Sequence, residues 1–107
     1  MTKPTQIDQY GNKVWKNAEG KLHRVDGPAI EDADGDKWWY LNGKRHRTDG
    51  PAVECDGRHT SWYLNGLRHR TDGPAVEYAN GTKEWWVNDK ELTEAEHVER
   101  IKEMQDD

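Results

Sequence analysis

The chain has 107 residues, of which 32% are apolar and 35% charged, with a formal net charge of −5. That length fits one domain, and so little apolar content excludes a large globular core with a deep catalytic cleft. Six Trp and four Tyr with no Phe equally exclude a chain that stays unfolded, and since ring burial alone does not offset chain entropy, a regular hydrogen-bond ladder is needed, which a thin extended sheet supplies.

Other classes drop out quickly. No apolar run approaches the ~18 residues of a membrane span. Met1-Thr2-Lys3-Pro4-Thr5-Gln6 leads directly into polar sequence, unlike a signal peptide. Cys55 is the single cysteine, so no internal disulfide forms, and a reducing, cytoplasmic location is expected. The acidic balance argues against dominant nucleic-acid binding.

The chain repeats itself. Residues 40–54 read YLNGKRHRTDGPAVE and residues 63–77 read YLNGLRHRTDGPAVE, an offset of 23 (residue 63 matching residue 40). Such a period is the signature of a repeat architecture. Ile7, Ile30, Val53 and Val76 form one column, and Asn42, Asn65 and Asn88 another. In chain order, a degenerate first repeat occupies 6–27, with its strands at about 6–20. Repeats follow at 28–50, 51–73 and 74–91. Each carries a hairpin, near 28–43, 51–66 and 74–89. In the first of these, 29–32 alternates as a strand, Asp34-Gly35 signals a turn, and 37–41 is the second strand, closed by Asn42-Gly43. Two strands per unit leave no room for a helix. Residues 92–107 differ in kind. Thr93 with Glu96 is a capping box, and Ala95, Val98, Ile101 and Met104 make a narrow apolar stripe, predicting a helix over 93–105 that covers the last hairpin. The expected fold is mainly β: one domain over 1–107, with tandem antiparallel hairpins in an extended twisted sheet and a C-terminal capping helix.

Glu77-Tyr78-Ala79-Asn80-Gly81 and Asn42-Gly43-Lys44-Arg45-His46 resemble the YxxG and NGKxHG segments of MORN repeats. The chain departs from that pattern in lacking YEGxW and in carrying Asp-Gly-Pro. It is closer to divergent WYLNGKxHRxDGPA tandem repeats, associated with bacteriophage and large DNA virus proteins. The resemblance covers roughly 7–90. It implies hairpin units and, for function, an interaction scaffold; fold-level likeness assigns no site.

Alternation along a strand puts Trp39, Trp62 and Trp85 on one face with Leu41, Leu64 and Val87. Trp15 joins them if its unit slips by one residue. That face is expected to be internal. Trp38, Tyr40, Tyr63 and Trp86 lie on the other, either as a cross-strand ladder under the connectors or as a surface for a partner. His23, His46 and His69 lie on neighbouring hairpins ~9–10 Å apart, too far to converge on one metal ion. Each is expected, with Asp26, Asp49 or Asp72, to fix its connector by side-chain-to-backbone hydrogen bonds. No unique nucleophile accompanies them, and acidic neighbours blunt Cys55. No catalytic, metal or cofactor site is therefore assigned. Lys21, Arg24, Lys44, Arg45, Arg47, Arg68 and Arg70 form a basic column. Glu31, Asp32, Asp34, Asp36, Glu54, Asp56 and Glu77 form an acidic rim at the other end of the hairpins.

These residues predict a non-enzymatic binding module that recognises a protein partner through Trp38, Tyr40, Tyr63 and Trp86, through Asp32, Asp34, Asp36, Glu54 and Asp56, or through Arg45, Arg47, Arg68 and Arg70. The resemblance sharpens this to a small phage or viral protein that binds and inhibits a host protein, one of defence or nucleic-acid handling. The alternatives are a small-ligand or nucleotide binder using Trp and Tyr pockets, and a virion module that self-associates through sheet edges.

Overall fold

The computed structural model describes residues 3–105; Met1 and Thr2 of the polar N-terminal stretch, and 106 and 107 of the C-terminal span 92–107, lie outside the described residues. The described chain is mainly β, with 13 short strands in antiparallel sheets and one C-terminal helix. The strands are β1 (Gln6–Ile7), β2 (Lys13–Val14), β3 (Ile30–Glu31), β4 (Lys37–Trp38), β5 (Tyr40–Leu41), β6 (Lys44–Arg45), β7 (Val53–Cys55), β8 (His59–Ser61), β9 (Tyr63–Leu64), β10 (Leu67–Arg68), β11 (Val76–Tyr78), β12 (Lys83–Val87) and β13 (Lys90–Leu92), followed by α1 (Glu94–Gln105). Nine of them make one sheet in the order β1-β2-β3-β4-β7-β8-β11-β12-β13, while β5 with β6 and β9 with β10 are two-stranded. The molecule is elongated, 47 × 33 × 21 Å.

The Asn-Gly pairs dictate part of this layout. Asn42 and Gly43 have φ of 50° and 83°, and Asn65 and Gly66 have 50° and 86°. Two consecutive left-handed residues make the tight turn whose twist suits a hairpin. Asn42-Gly43 therefore opens a hairpin of its own, with Tyr40 paired to Arg45 and Leu41 to Lys44. This differs from the expectation of a single strand over 37–41 that ends at the turn. The strand divides at Trp39, whose N–H donates to the Ala52 carbonyl at 2.7 Å while its carbonyl accepts from His46 N–H at 3.1 Å. One residue thus leaves the large sheet and enters the small one. Trp62 makes the same two bonds, to Ala75 and from His69, at 2.7 and 3.1 Å. Trp15 does so with Ala29 and His23, at 2.8 and 3.0 Å, as the one-residue slip requires. At the C-terminal end β12 runs unbroken, because β13 continues far enough for Leu92 to face Trp85.

Packing follows the same residues. Ala29, Ala52 and Ala75 are fully buried at 0% exposure, tucked after each Gly-Pro. Ala52, Val53, Cys55 and Tyr63 form a buried cluster against which Trp38 and Trp39 pack. The column of Ile7, Val53 and Val76 runs from 60% exposed to 5% and 3%, because no described strand lies outside β1.

Gly27, Gly50 and Gly73 are needed for close approach rather than for backbone freedom. A Cβ at Gly50 would stand 2.8 Å from Arg47 Cζ, and at Gly73 3.0 Å from Arg70 Cζ. Those guanidiniums are pinned, so they do not swing away at no cost. Gly50→Ala is expected to cost about 1–3 kcal/mol. In thermal melts followed by Trp fluorescence this reads as a midpoint lowered by about 5–20 °C. An unchanged midpoint would show that the guanidinium moves aside freely.

The helix caps as the sequence predicts: Thr93 N–H donates to Glu96 Oε1 at 2.8 Å and Glu96 N–H to Thr93 Oγ1 at 3.1 Å. It packs on β12 and β13, the last hairpin. Its buried side is not the apolar stripe. Val98 and Met104 are 54% and 48% exposed and Ala95 is exposed, whereas His97 is 4% exposed and Arg100 and Ile101 are half-buried. The rotation is set by His97, whose Nε2 lies 2.8 Å from the Arg70 carbonyl. One hydrogen-bonded anchor outweighs a stripe too thin to define a face.

Candidate functional site

The Arg of each Arg-x-Asp-Gly-Pro segment is consumed by the fold. Arg47 lies flat on Trp39, with Cζ 3.9 Å from the ring centroid. Its Nε donates to Asp49 Oδ1 at 2.9 Å, and Nη1 donates to the Pro51 carbonyl at 3.1 Å and to Glu54 Oε1 at 3.0 Å. Arg70 does the same over Trp62 at 4.0 Å, with Asp72, Pro74 and Glu77 at 2.8, 3.0 and 3.1 Å. Arg24 stacks on Trp15 at 3.9 Å and holds Asp26 and the Pro28 carbonyl at 2.8 and 3.2 Å. The guanidinium hydrogen bond holds the Asp49 and Asp72 carboxyls below their usual range. Trp15, Trp39 and Trp62 are therefore each covered by a guanidinium, whereas Trp85, with no such cation among the described residues, is half-buried opposite Leu92.

The histidines act apart from these aspartates. His23, His46 and His69 each accept at Nδ1 the backbone N–H of Asn42, Asn65 or Asn88, at 2.9, 2.9 and 3.0 Å. A ring accepting at Nδ1 carries its proton on Nε2. Each imidazole thus pins the Asn turn 19 residues further along. Among the described residues no group of three or more His, Cys, Asp or Glu is placed to hold a metal ion.

The acidic rim is thinner than its sequence. Asp36 is 5% exposed; it pairs with Arg58 and accepts Asp56 N–H at 3.0 Å, so it faces inward. Glu54 belongs to Arg47. Asp32 is half-buried and accepts Asp34 N–H at 3.2 Å, while Asp34 and Asp56 are exposed. Cys55 is 8% exposed, its thiol pushed up by burial and then by Asp36, which disfavours the nucleophilic thiolate.

The opposite face carries the second set of rings. Tyr63 is buried at 7% exposure, whereas Trp38, Tyr40 and Trp86 are half-buried. Two arginines thread through them. Arg45 donates from Nε to the Tyr40 hydroxyl at 3.3 Å and from Nη1 to the Tyr63 hydroxyl at 3.4 Å. Its Cζ is 5.3 Å from the Tyr63 centroid. Arg68 lies 5.8 Å from the same centroid and 4.9 Å from that of Trp86. The Tyr40 hydrogen bond raises the Arg45 pKa above its ordinary value. Among the described residues neither Arg45 nor Arg68 makes an ion pair with a carboxylate. Arg68 Nε is buried with no hydrogen-bond partner. Glu84, two residues before Trp86 on β12, is already taken by Trp86 Nε1 at 2.9 Å and the Tyr78 hydroxyl at 3.1 Å. The basic column thus separates into neutralised and unneutralised arginines, a division the sequence hid.

The grooves between connectors are shallow. One of about 340 Å³ is lined by Arg47, Asp49, Trp62, His69, Arg70 and Asp72, whose charges already satisfy one another. No described helix is long and apolar enough to cross a membrane. No family model, curated protein or solved structure matches the chain.

Proposed function

We propose that this chain is a tandem hairpin-repeat protein of 23-residue period, related to MORN-like repeats, and that it works without catalysis by recognising a protein. The observation carrying this reading is the division among its arginines. Arg24, Arg47 and Arg70 are neutralised within the fold, whereas the Arg45 and Arg68 side chains lie against rings, the Asp89 carboxylate reaching only the Arg68 backbone N–H. A protein that keeps two cations without acid partners on an aromatic face has the features of a recognition surface: aromatic rings, Arg, and a satisfied rim. The resemblance supplies the setting, a small phage or viral protein that occupies a host protein in the cytoplasm.

Affinity capture from nuclease-treated bacterial lysate tests it. The expected result is one stoichiometric protein, retained by a variant with Asp32→Lys, Asp34→Lys and Asp56→Lys. Asp36 is left unchanged because it is buried. An eluate holding only nucleic acid, or no protein, would remove recognition of a protein from consideration.

A further inference from the structure

We infer that Arg45 and Arg68 form a paired carboxylate site for an extended acidic segment of a protein partner, an inference that rests on the recognition reading above. On the sheet, Arg24, Arg47, Arg58 and Arg70 each end on an Asp or Glu. Arg45 and Arg68 lie against rings instead, both near Tyr63, at 5.3 and 5.8 Å from its centroid. Rings hold a guanidinium flat while leaving its outer N–H groups unused. Arg45 spends Nε and Nη1 on tyrosine hydroxyls at the long distances of 3.3 and 3.4 Å, and the Arg68 Nε is buried out of a ligand's reach. What each can offer is the end-on pair of its terminal Nη groups, a geometry that also fits a carboxylate.

The shared ring limits the ligand: guanidiniums at 5.3 and 5.8 Å from one centroid stand at most about 11 Å apart. An extended segment puts alternate side chains on one side, about 7 Å apart, which suits such a pair. Acidic residues at i and i+2 would meet both, and the residue beyond would lie against half-buried Trp86. The surroundings disfavour a continuous polyanion. The chain is at −5, the Asp89 carboxylate already accepts the Arg68 backbone N–H at 3.3 Å, and Glu91 lies directly opposite Trp86, the ring Arg68 rests on. Two discrete carboxylates fit between these acids, whereas a phosphate backbone would run across them.

A twelve-residue peptide with Glu at alternate positions, and its Gln counterpart, supply the test by calorimetry at low and high salt. Binding is expected for the Glu peptide alone, weakened by salt. Arg45→Gln and Arg68→Gln should each weaken it about tenfold. The Arg45→Lys/Arg68→Lys double variant, with the charge kept and the melting temperature checked, should weaken it similarly because an ammonium has no fork. Equal affinity for the Gln peptide, undiminished binding by the Lys double variant, or tighter binding of a single-stranded oligonucleotide would each overturn the inference. A lysate protein still captured by the Lys double variant would overturn it too, yet would leave protein recognition standing.

Discussion

Replacing Arg47 by Ala is expected to lower the unfolding free energy by about 2–4 kcal/mol, and the melting midpoint by about 10–25 °C. The side chain is 19% exposed and does several things at once. Its loss uncovers the face of Trp39, removes the donor to the Pro51 carbonyl, and leaves Glu54 and Asp49 without their cation. The magnitudes say which of these dominates. Asp49 is 77% exposed, and an exposed ion pair is worth little, so Asp49→Asn should leave the midpoint nearly unchanged. The stack and the carbonyl bond are shielded from water and carry the loss. Arg47→Lys keeps the charge without the planar fork, and should behave more like Ala than like Arg. Urea titrations of the three variants decide the matter. If Asp49→Asn were as damaging as Arg47→Ala, the ion pair and not the stack would hold the connector.

That arginine shows where sequence reasoning reaches and where it stops. The Asn-Gly turns were legible because two left-handed residues in succession leave few alternatives, and Asn42-Gly43 and Asn65-Gly66 adopt them. The mainly β character and the C-terminal helix were legible from alternation and from the Thr93–Glu96 box. The Trp39 handover was not. Strand periodicity describes which way a side chain points, and says nothing of which neighbour receives the backbone bonds. Nor was the partner of Asp49. His46, Arg47 and Asp49 are all within hydrogen-bonding reach along the chain, and only the position of the Trp39 ring brings the guanidinium over it and leaves His46 for Asn65. The candidate residues divide on the same ground. Arg45 lies against Tyr40 and Arg68 against Trp86, all half-buried, whereas Trp38 packs on the buried cluster. Tyr63 and Asp36 are buried, and Arg47, Arg70 and Glu54 are engaged with one another or with their own connectors. Charge and aromaticity are visible in sequence, but whether a charge is already answered is a property of packing.

His97→Ala is expected to destabilise the protein by about 2–3 kcal/mol at neutral pH, combining a small cavity with the loss of a buried hydrogen bond. His97 is 4% exposed and reaches the Arg70 carbonyl at 2.8 Å, so it ties the helix to the connector whose guanidinium covers Trp62. The variant should also respond differently to acid. Burial, and after it the charge on His97, hold His69 below its ordinary value of 6.5. The unfolded chain therefore takes up a proton at this site before the folded one does. The stability contributed by neutral His69 is complete above pH 6.5 and is lost as the pH falls through the lower folded value. Physically, protonation puts an N–H where Nδ1 accepts the Asn88 amide at 3.0 Å. Removing His97 removes the second cause of the depression, so the loss of stability between neutral and mildly acidic pH becomes shallower even though the variant starts lower. Urea unfolding at pH 7.5 and 5, followed by Trp fluorescence, measures both. A variant as stable as the parent at pH 7.5 would mean that the helix is held by its contacts with β12 and β13 alone, and equal acid slopes would mean that the two imidazoles do not sense each other.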